Sequence, residues 1–199
     1  MGQRRLKGAL RERAVVEAAA ELIAEKGLAE LRMADVAERA DMSVGHVTYY
    51  FPSKAHLLVQ AISRREEVFQ TQVRDALADE VGSWDRLRLL IEHAAAGGPA
   101  DPDWLLWFEV WVQAAVDETV GRTQRALDGW WREAMTDIVS RGVASGEFRC
   151  EDVEEVVDVL SALTDGLSVR LTLSGQPMTR QRLLGQVLRV ARLLLDVPG

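Results

Sequence analysis

Apolar residues recur at helical spacing along almost the whole chain. In the first segment they stand three and four residues apart, and acidic residues fill the other faces. This spacing is typical of an amphipathic helix. The predicted apolar stripe comprises Leu10, Ala14, Val15, Ala18 and Leu22. Lys26-Gly27 is predicted to end the helix, because a cation suits the last turn and glycine readily takes a positive φ.

Two short helices are predicted next, at 33–40 and from Ser43 to Tyr50, with a tight corner at Asp41-Met42 between them. A serine hydroxyl accepts hydrogen bonds from the first free amides of a helix, so Ser43 is a candidate cap. By the same argument Ser53 can cap a fourth helix, which continues to about residue 77.

Turn signals divide the rest of the chain into further helices, and no alternating strand pattern occurs. The predicted helices are 84–96, 103–117, 119–144, 151–173 and 179–196, the last two separated by Ser174-Gly175-Gln176-Pro177. Asp165-Gly166 and the acidic runs at 151–155 are interpreted as turn or helix-start residues. The predicted fold class is all-α.

Two short helices joined by a tight corner, after a longer helix, are the parts of a helix-turn-helix head. In the second short helix, Val47, Tyr50 and Phe51 can pack inward, at least in part. Small and polar residues then face outward, where histidine, threonine and tyrosine can contact bases or phosphates. These outward residues are Val44, Gly45, His46, Thr48 and Tyr49. The alternative is a plain helical hairpin in a core, for which this polar, aromatic helix is poorly suited.

Residues 9–60 resemble the DNA-binding head of the TetR/AcrR family. The similarity is densest in Asp35-Val36-Ala37, in 40–45, and in 49–54 followed by Leu57-Leu58. The resemblance implies a DNA-binding domain over 1–53 and a helical effector-binding and dimerisation domain over 54–199. It implies that bases or nearby sugars are contacted by Val44, Gly45, His46 and Thr48, and that phosphates are contacted by Tyr49, Tyr50 and Lys54.

Three positions depart from the family pattern. Arg32 occupies the usual Thr/Ser cap of the second helix, so the cap is lost and a possible phosphate ligand is gained. Ala34 stands where many members have arginine, and His56 stands where a capping glutamate is usual. Arg32, Met33 and Ser43 complete the predicted DNA-binding set.

Tryptophan is concentrated in the middle of the chain. The helix predicted at 103–117 is apolar on most faces, which is typical of a buried helix. One interpretation is an aromatic-walled effector pocket for a cationic or planar ligand, and the alternative is ordinary core packing. The predicted ligand-binding residues are Trp107, Phe108, Glu109, Trp111, Trp130 and Trp131. Two segments of the predicted effector-binding domain, 105–111 and 162–167, resemble the TetR/AcrR subgroup that includes the choline-responsive repressor.

The last two predicted helices carry more apolar surface than one neighbour covers. Such a surplus suits a four-helix bundle formed between two copies of the chain, and the alternative is that these helices close the core of one copy. The resemblance favours the homodimer.

Charge is unevenly distributed, although the chain carries −7 overall. Residues 1–13 hold five basic residues against one acidic residue, and residues 1–54 hold nine against eight, a balance of +1 that leaves −8 for the rest. A basic end on an acidic body permits local contact with double-stranded DNA. A short basic end is also typical of a solvated tail, and this alternative stays open.

Other classes of protein find little support in the sequence. Cys150 is the one cysteine, so no intramolecular disulfide can form, and the three histidines are not spaced as metal ligands. No apolar run approaches the ~20 residues of a membrane span, and we expect a cytoplasmic protein without a cofactor. The expected function is a repressor released from a palindromic operator by a small-molecule effector. The alternatives are a DNA-binding regulator that acts through a protein partner and, more remotely, a helical enzyme.

Overall fold

The computed structural model describes residues 2–78, 82–173 and 177–197, with the backbone alone for residues 2–7. Over these ranges the chain forms nine α-helices and no strand, which confirms the all-α prediction. The helices are α1 (Gly2–Glu30), α2 (Met33–Arg39), α3 (Val44–Tyr50), α4 (Lys54–Ala78), α5 (Ser83–Ala94), α6 (Pro102–Ala114), α7 (Glu118–Ser145), α8 (Val153–Thr172) and α9 (Arg180–Leu194). The predicted turn at 174–176 lies outside the described residues.

The positive φ predicted at Gly27 is confirmed, and helix α1 differs from its prediction at its start. Regular backbone geometry breaks at Gly27, with φ 79° and ψ 161°, but a short helical segment continues to Glu30. The predicted apolar stripe is wrong at its start, since Leu10 is 56% exposed and Ala14 is exposed, and burial begins at Val15. Helical spacing identifies an apolar face but does not show where the packing partner of that face begins.

The corner between α2 and α3 forms as predicted. Asp41 takes a positive φ of 53°, and the amide of Met42 donates to the carbonyl of Ala37 at 2.8 Å. The Ser43 hydroxyl accepts from the amide of His46 at 3.3 Å, which confirms the cap of α3. A short turn with a local cap therefore sets the angle between the two helices.

Helix α6 ends at Ala114, three residues before its predicted end at 117. The Asp117 side chain accepts from the amides of Thr119 at 2.8 Å and Val120 at 3.2 Å, so Asp117 caps α7. Aspartate at this position satisfies amides that have no partner within their own helix. The local capping signal thus outweighs the apolar periodicity that continues through Val116.

The backbone divides into two compact units. The first contains residues 1–67 and 105–125, and the second contains 68–104 and 126–199. Three helices, α4, α6 and α7, each contribute one part to either unit. This grouping by packing does not test the functional division at 53/54, which stays a prediction.

The turn after α7 organises the second unit. The Glu147 carboxylate accepts from the amides of Ser83 at 2.7 Å and Trp84 at 2.9 Å, and thereby caps α5. Phe148 is only 1% exposed, and its amide donates to the Gly142 carbonyl at 2.9 Å. The amide of Arg149 donates to the Leu195 carbonyl at 2.9 Å at the end of α9. Residues 147–149 thus connect the start of α5, the last turns of α7 and the end of α9.

Candidate DNA-binding surface and effector site

The outer face of α3 is the first candidate site. Val47 and Phe51 are buried, whereas Val44, Gly45, His46, Thr48 and Tyr49 are exposed, as the periodicity predicts. Tyr49 is 80% exposed and Tyr50 is 39% exposed, with their rings edge to face at 5.1 Å between centroids. Tyr50 therefore faces outward more than the sequence pattern indicates, which brings both phenol rings to the same surface.

Two polar side chains of α3 are fixed by local hydrogen bonds. The Thr48 hydroxyl donates to the Val44 carbonyl at 2.8 Å, which leaves its oxygen lone pairs as acceptors. The Nδ1 atom of His46 lies 3.3 Å from the Ser43 hydroxyl. These contacts orient the groups that a base or phosphate would meet.

A network of ion pairs holds α2 against α1, and sequence reasoning did not find it. Lys26 pairs with Asp35, and Arg39 contacts Glu21 at 3.1 Å and Glu25 at 2.9 Å. The hydrogen bond from Lys26 lowers the pKa of Asp35, and that from Arg39 lowers the pKa of Glu25. Opposite charges on two consecutive amphipathic helices are the signal that could have indicated the network.

The remaining predicted DNA-binding residues lie at the N-terminal ends of α2, α3 and α4. Arg32 is exposed at the N-terminus of α2 and makes no capping hydrogen bond with its side chain, as its departure from the family pattern predicts. Met33 is half-buried and Ser43 is exposed. The Lys54 ammonium donates to the carbonyls of Ala29 at 2.9 Å and Leu28 at 3.3 Å.

Four predicted ligand residues lie together on α6 in the first unit. The ring centroid of Trp111 lies 6.0 Å from that of Trp107 and 6.0 Å from that of Phe108. The Trp107 indole donates to a carboxylate oxygen of Glu66 at 3.1 Å. A carboxylate oxygen of Glu109 lies 3.0 Å from the position that a Cβ atom would occupy at Gly27. The α6 aromatic residues thus contact one another and the N-terminal half of α4.

The other two predicted ligand residues lie in the second unit with a phenylalanine of α4. The ring centroid of Phe69 is 5.9 Å from that of Trp130, edge to face, and 6.5 Å from that of Trp131. All three side chains are half-buried, and the Trp131 indole donates to the Ser161 hydroxyl at 3.2 Å. That some of the five predicted aromatic residues wall an effector pocket stays a prediction.

Two carboxylates lie within about one helical turn of residues in this second cluster, since Asp128 precedes Trp131 by three residues on α7 and Asp165 follows Ser161 by four on α8. Contacts of Arg132 with Asp158 and of Trp131 with Ser161 show that α7 and α8 run antiparallel. One turn further along this register, partial desolvation by the surrounding protein raises the pKa of Asp165 to about 6, and the negative charge of Asp128 adds to the effect. Asp165 is nevertheless accessible to water. The Asp165 carboxyl group can therefore be reached by a solute, while the surrounding protein disfavours its charge.

The sequence interpretation of Asp165-Gly166 is wrong, because both residues lie inside α8 and not at a turn or helix start. The helix-start interpretation holds for the acidic run, where Asp152 accepts from the amides of Glu154 and Glu155. We define the acidic aromatic cluster as Phe69, Asp128, Trp130, Trp131 and Asp165. Its members come from α4, α7 and α8, so no local sequence pattern identifies it.

Within the described ranges, no group of three or more histidine, cysteine, aspartate or glutamate side chains is arranged to hold a metal ion. Over the same ranges, no helix is both long enough and apolar enough to cross a bilayer.

Comparison with known proteins identifies the family. Residues 84–196, more than half of the chain, match the family described as the C-terminal domain of BetI-type transcriptional repressors. Residues 15–61 match the bacterial regulatory proteins of the tetR family. The chain belongs to the TetR family. It is a DNA-binding transcriptional regulator with a BetI-type C-terminal domain, and members of this family are regulators and not enzymes, which excludes the enzyme alternative.

Individual relatives agree with this assignment along most of the chain. The transcriptional regulator BetI of Escherichia coli O127:H6 is 30% identical over 186 residues, covering 86% of this chain and 87% of the relative. A transcriptional regulator from Saccharomonospora viridis, solved in complex with choline, superposes with a TM-score of 0.87 at 23% identity, covering 94% and 98% of the two chains. FadR from Bacillus subtilis, solved with stearoyl-CoA, superposes with a TM-score of 0.74 at 18% identity, covering 94% and 100%. At these identities the two structures show the common fold.

Proposed function

We propose that this TetR-family regulator is a homodimeric repressor that binds a near-palindromic operator and is released from it by an organic cation. The observation that carries the choice of effector is the acidic aromatic cluster. Aromatic faces attract cations within about 6 Å of the ring centroid. A carboxylate whose charge is disfavoured by its surroundings gains a compensating partner when a cation binds beside it.

The alternative ligand chemistry among the similar structures is a long acyl chain. FadR was solved with stearoyl-CoA, and the Saccharomonospora regulator was solved with choline. An acyl chain placed against Asp165 would desolvate this carboxylate further without neutralising its charge, which is costly on general grounds. A small quaternary ammonium offers positive charge and methyl groups to carboxylates and indole rings together, and it is therefore the better match.

The test of this effector class uses three probes of DNA release. Duplexes selected by the protein from a randomised pool are bound first, and the probes are choline, its uncharged carbon analogue and stearoyl-CoA. We expect choline to release the DNA and the isosteric analogue to leave it bound, since they differ in charge alone. Equal release by choline and the analogue would show that charge is not recognised, and release by stearoyl-CoA alone would favour an acyl effector. Retention of DNA with all three probes would reject the effector class.

For DNA recognition, we assign base contacts to the exposed face of α3 and phosphate contacts to its tyrosines. Tyr49→Phe is expected to weaken binding to selected and scrambled duplexes alike, because a phosphate contact carries no sequence information. His46→Ala is expected to weaken binding to the selected duplex alone, by about 1–3 kcal/mol for a lost base contact. Fluorescence anisotropy titrations on both duplexes measure the two effects. Arg149→Ala, at an exposed position between α7 and α8, is the control that should change neither.

The dimer is assigned to α8 and α9. These helices pack against each other and each buries one apolar face. Further apolar residues on both helices stay half-buried or exposed, including Leu193 at 76% exposure. These residues are Val159, Leu163, Leu184, Leu188 and Leu193. A second copy of the chain related by twofold symmetry would bury the same residues on both partners.

Leu163→Asp together with Leu188→Asp is expected to convert the dimer into monomers. In a twofold interface each substitution is present twice, so the double variant buries four like charges without partners. Light scattering measures the molar mass. Val112→Asp together with Val116→Asp, at exposed apolar positions of the first unit, adds the same charge and should leave the dimer intact. An intact dimer in the α8/α9 variant would contradict the assigned interface.

A further inference from the structure

The last turn of α1, from Gly27 to Glu30, is contacted from two other helices of the first unit. The backbone breaks at Gly27, and the carbonyls around the break and at the helix end cannot all be satisfied within α1. Leu28 and Leu31 are buried and the intervening Ala29 and Glu30 are exposed, so one side of this turn packs into the unit.

Lys54, the first residue of α4, donates to this turn. Its ammonium lies 2.9 Å from the Ala29 carbonyl and 3.3 Å from the Leu28 carbonyl. A cation in the first turn of a helix faces the positive end of its own helix dipole, which is unfavourable. The same cation is favoured at the C-terminal end of another helix, where it donates charge-assisted hydrogen bonds to free carbonyls. The contact with α1 therefore explains a lysine at this position.

Glu109 of α6 approaches the same turn. One of its carboxylate oxygens lies 3.0 Å from where a Cβ atom would stand at Gly27. Gly27 has a φ of 79°, so both its conformation and the space beside it favour glycine. The side chain of Glu109 thus occupies space that only a residue without a side chain leaves open.

The turn leads directly into the recognition elements. Arg32 follows the buried Leu31 and is the N-cap residue of α2, the Lys26–Asp35 pair bridges α1 to α2, and α2 packs on α3. A displacement of the last turn of α1 would therefore move α2 and, with it, the exposed face of α3.

We propose that Lys54 and Glu109 are positioning residues for DNA recognition, which hold the last turn of α1 from α4 and α6 and so fix the placement of α2 and α3. This role differs from the phosphate contact that the family resemblance implies for Lys54. It rests on the function proposed above for α3 in DNA recognition.

Salt dependence separates the two roles of Lys54. A side chain that neutralises a phosphate contributes about 0.9 to the slope of log affinity against log salt, and a positioning residue contributes nothing. We expect Lys54→Met to lower affinity about tenfold with an unchanged slope, and Lys54→Arg, which can still donate to carbonyls, to restore most of the affinity. Arg32→Met is the matched control, because loss of its exposed charge should lower the slope by about one. A slope lowered by about one in Lys54→Met would overturn the proposal.

Hydrogen exchange of the DNA-free protein tests the positioning directly. Lys54→Met and Glu109→Ala are each expected to raise amide exchange at residues 28–31 at least tenfold, whereas Glu109→Gln, which keeps the shape, should not. Gln113→Ala, one turn along α6 from Glu109, is the control. Unchanged exchange at 28–31 would overturn the proposal even if DNA binding were lost. Failure of the wild-type protein to select any duplex would instead reject the proposed function.

Discussion

Among the described glycines, Gly142 is the one at which replacement by alanine is expected to produce the largest loss of stability. A Cβ atom at Gly142 would overlap the ring of Phe148, with Cγ of that ring only 2.7 Å away. Phe148 is 1% exposed, and its neighbours Glu147 and Arg149 are bound to α5 and α9, so the ring cannot retreat without moving these contacts. Overpacking of a core costs about 1–3 kcal/mol, and we expect the upper end or more. Chemical denaturation monitored by circular dichroism measures the change.

A second glycine of the same helix provides the control for this prediction. Gly129 also lies within α7, and apart from its chain neighbours and the local helix backbone no atom lies within 4 Å of where its Cβ would stand. Alanine is preferred to glycine inside a helix by about 0.5–1 kcal/mol, so Gly129→Ala should stabilise the protein. If Gly142→Ala also raised the unfolding midpoint, helix propensity and not the Phe148 contact would dominate at Gly142.

Most of the DNA-binding head could be predicted from the sequence because its determinants are local. The cap at Ser43, the positive φ at Asp41 and the inward direction of Val47 each depend on residues within one or two turns. The contact of Lys54 with the end of α1 spans 25 residues and could not be predicted in this way. The family resemblance supplies a role for that position but not the geometry of its side chain.

The candidate effector site could be predicted only in part, for a related physical reason. Trp130 and Trp131 are visible as an aromatic pair, but Phe69 reaches them from α4, some 60 residues earlier in the chain. Asp165 lies next to a glycine, which suggested a turn, and its true surroundings follow from the antiparallel register of α7 and α8. The packing register between two helices decides which carboxylates lie in the same site. The periodicity within a single helix carries no information about that register.

The second large effect is expected at Asp165, where substitution should change stability and effector binding in opposite directions. Desolvation, together with Asp128, raises the folded-state pKa of Asp165 to about 6, above its ordinary value of 3.8. Between these values the folded protein holds more protons than the unfolded chain, so stability falls as pH rises through this window and the cost is complete above it. Asp165→Asn removes the disfavoured charge and should raise the melting temperature at pH 7.5, with the gain vanishing below about pH 4.

The same substitution should weaken cation binding, and the pH dependence identifies the cause. A cation favours the ionised form of Asp165, so the affinity of the wild-type protein for choline is expected to fall about fivefold from pH 7 to pH 5, as a single group of pKa about 6 becomes protonated. Asp165→Asn should bind choline about tenfold more weakly at pH 7 and show little dependence on pH. Asp137→Asn, which removes an exposed carboxylate paired with Arg141 on α7, is the control and should retain the wild-type profile. Isothermal titration at several pH values measures both affinities. A variant that gained stability while keeping the wild-type affinity and pH profile would show that the effector site lies elsewhere, because Asp165 would then be a desolvated carboxylate with no ligand to neutralise.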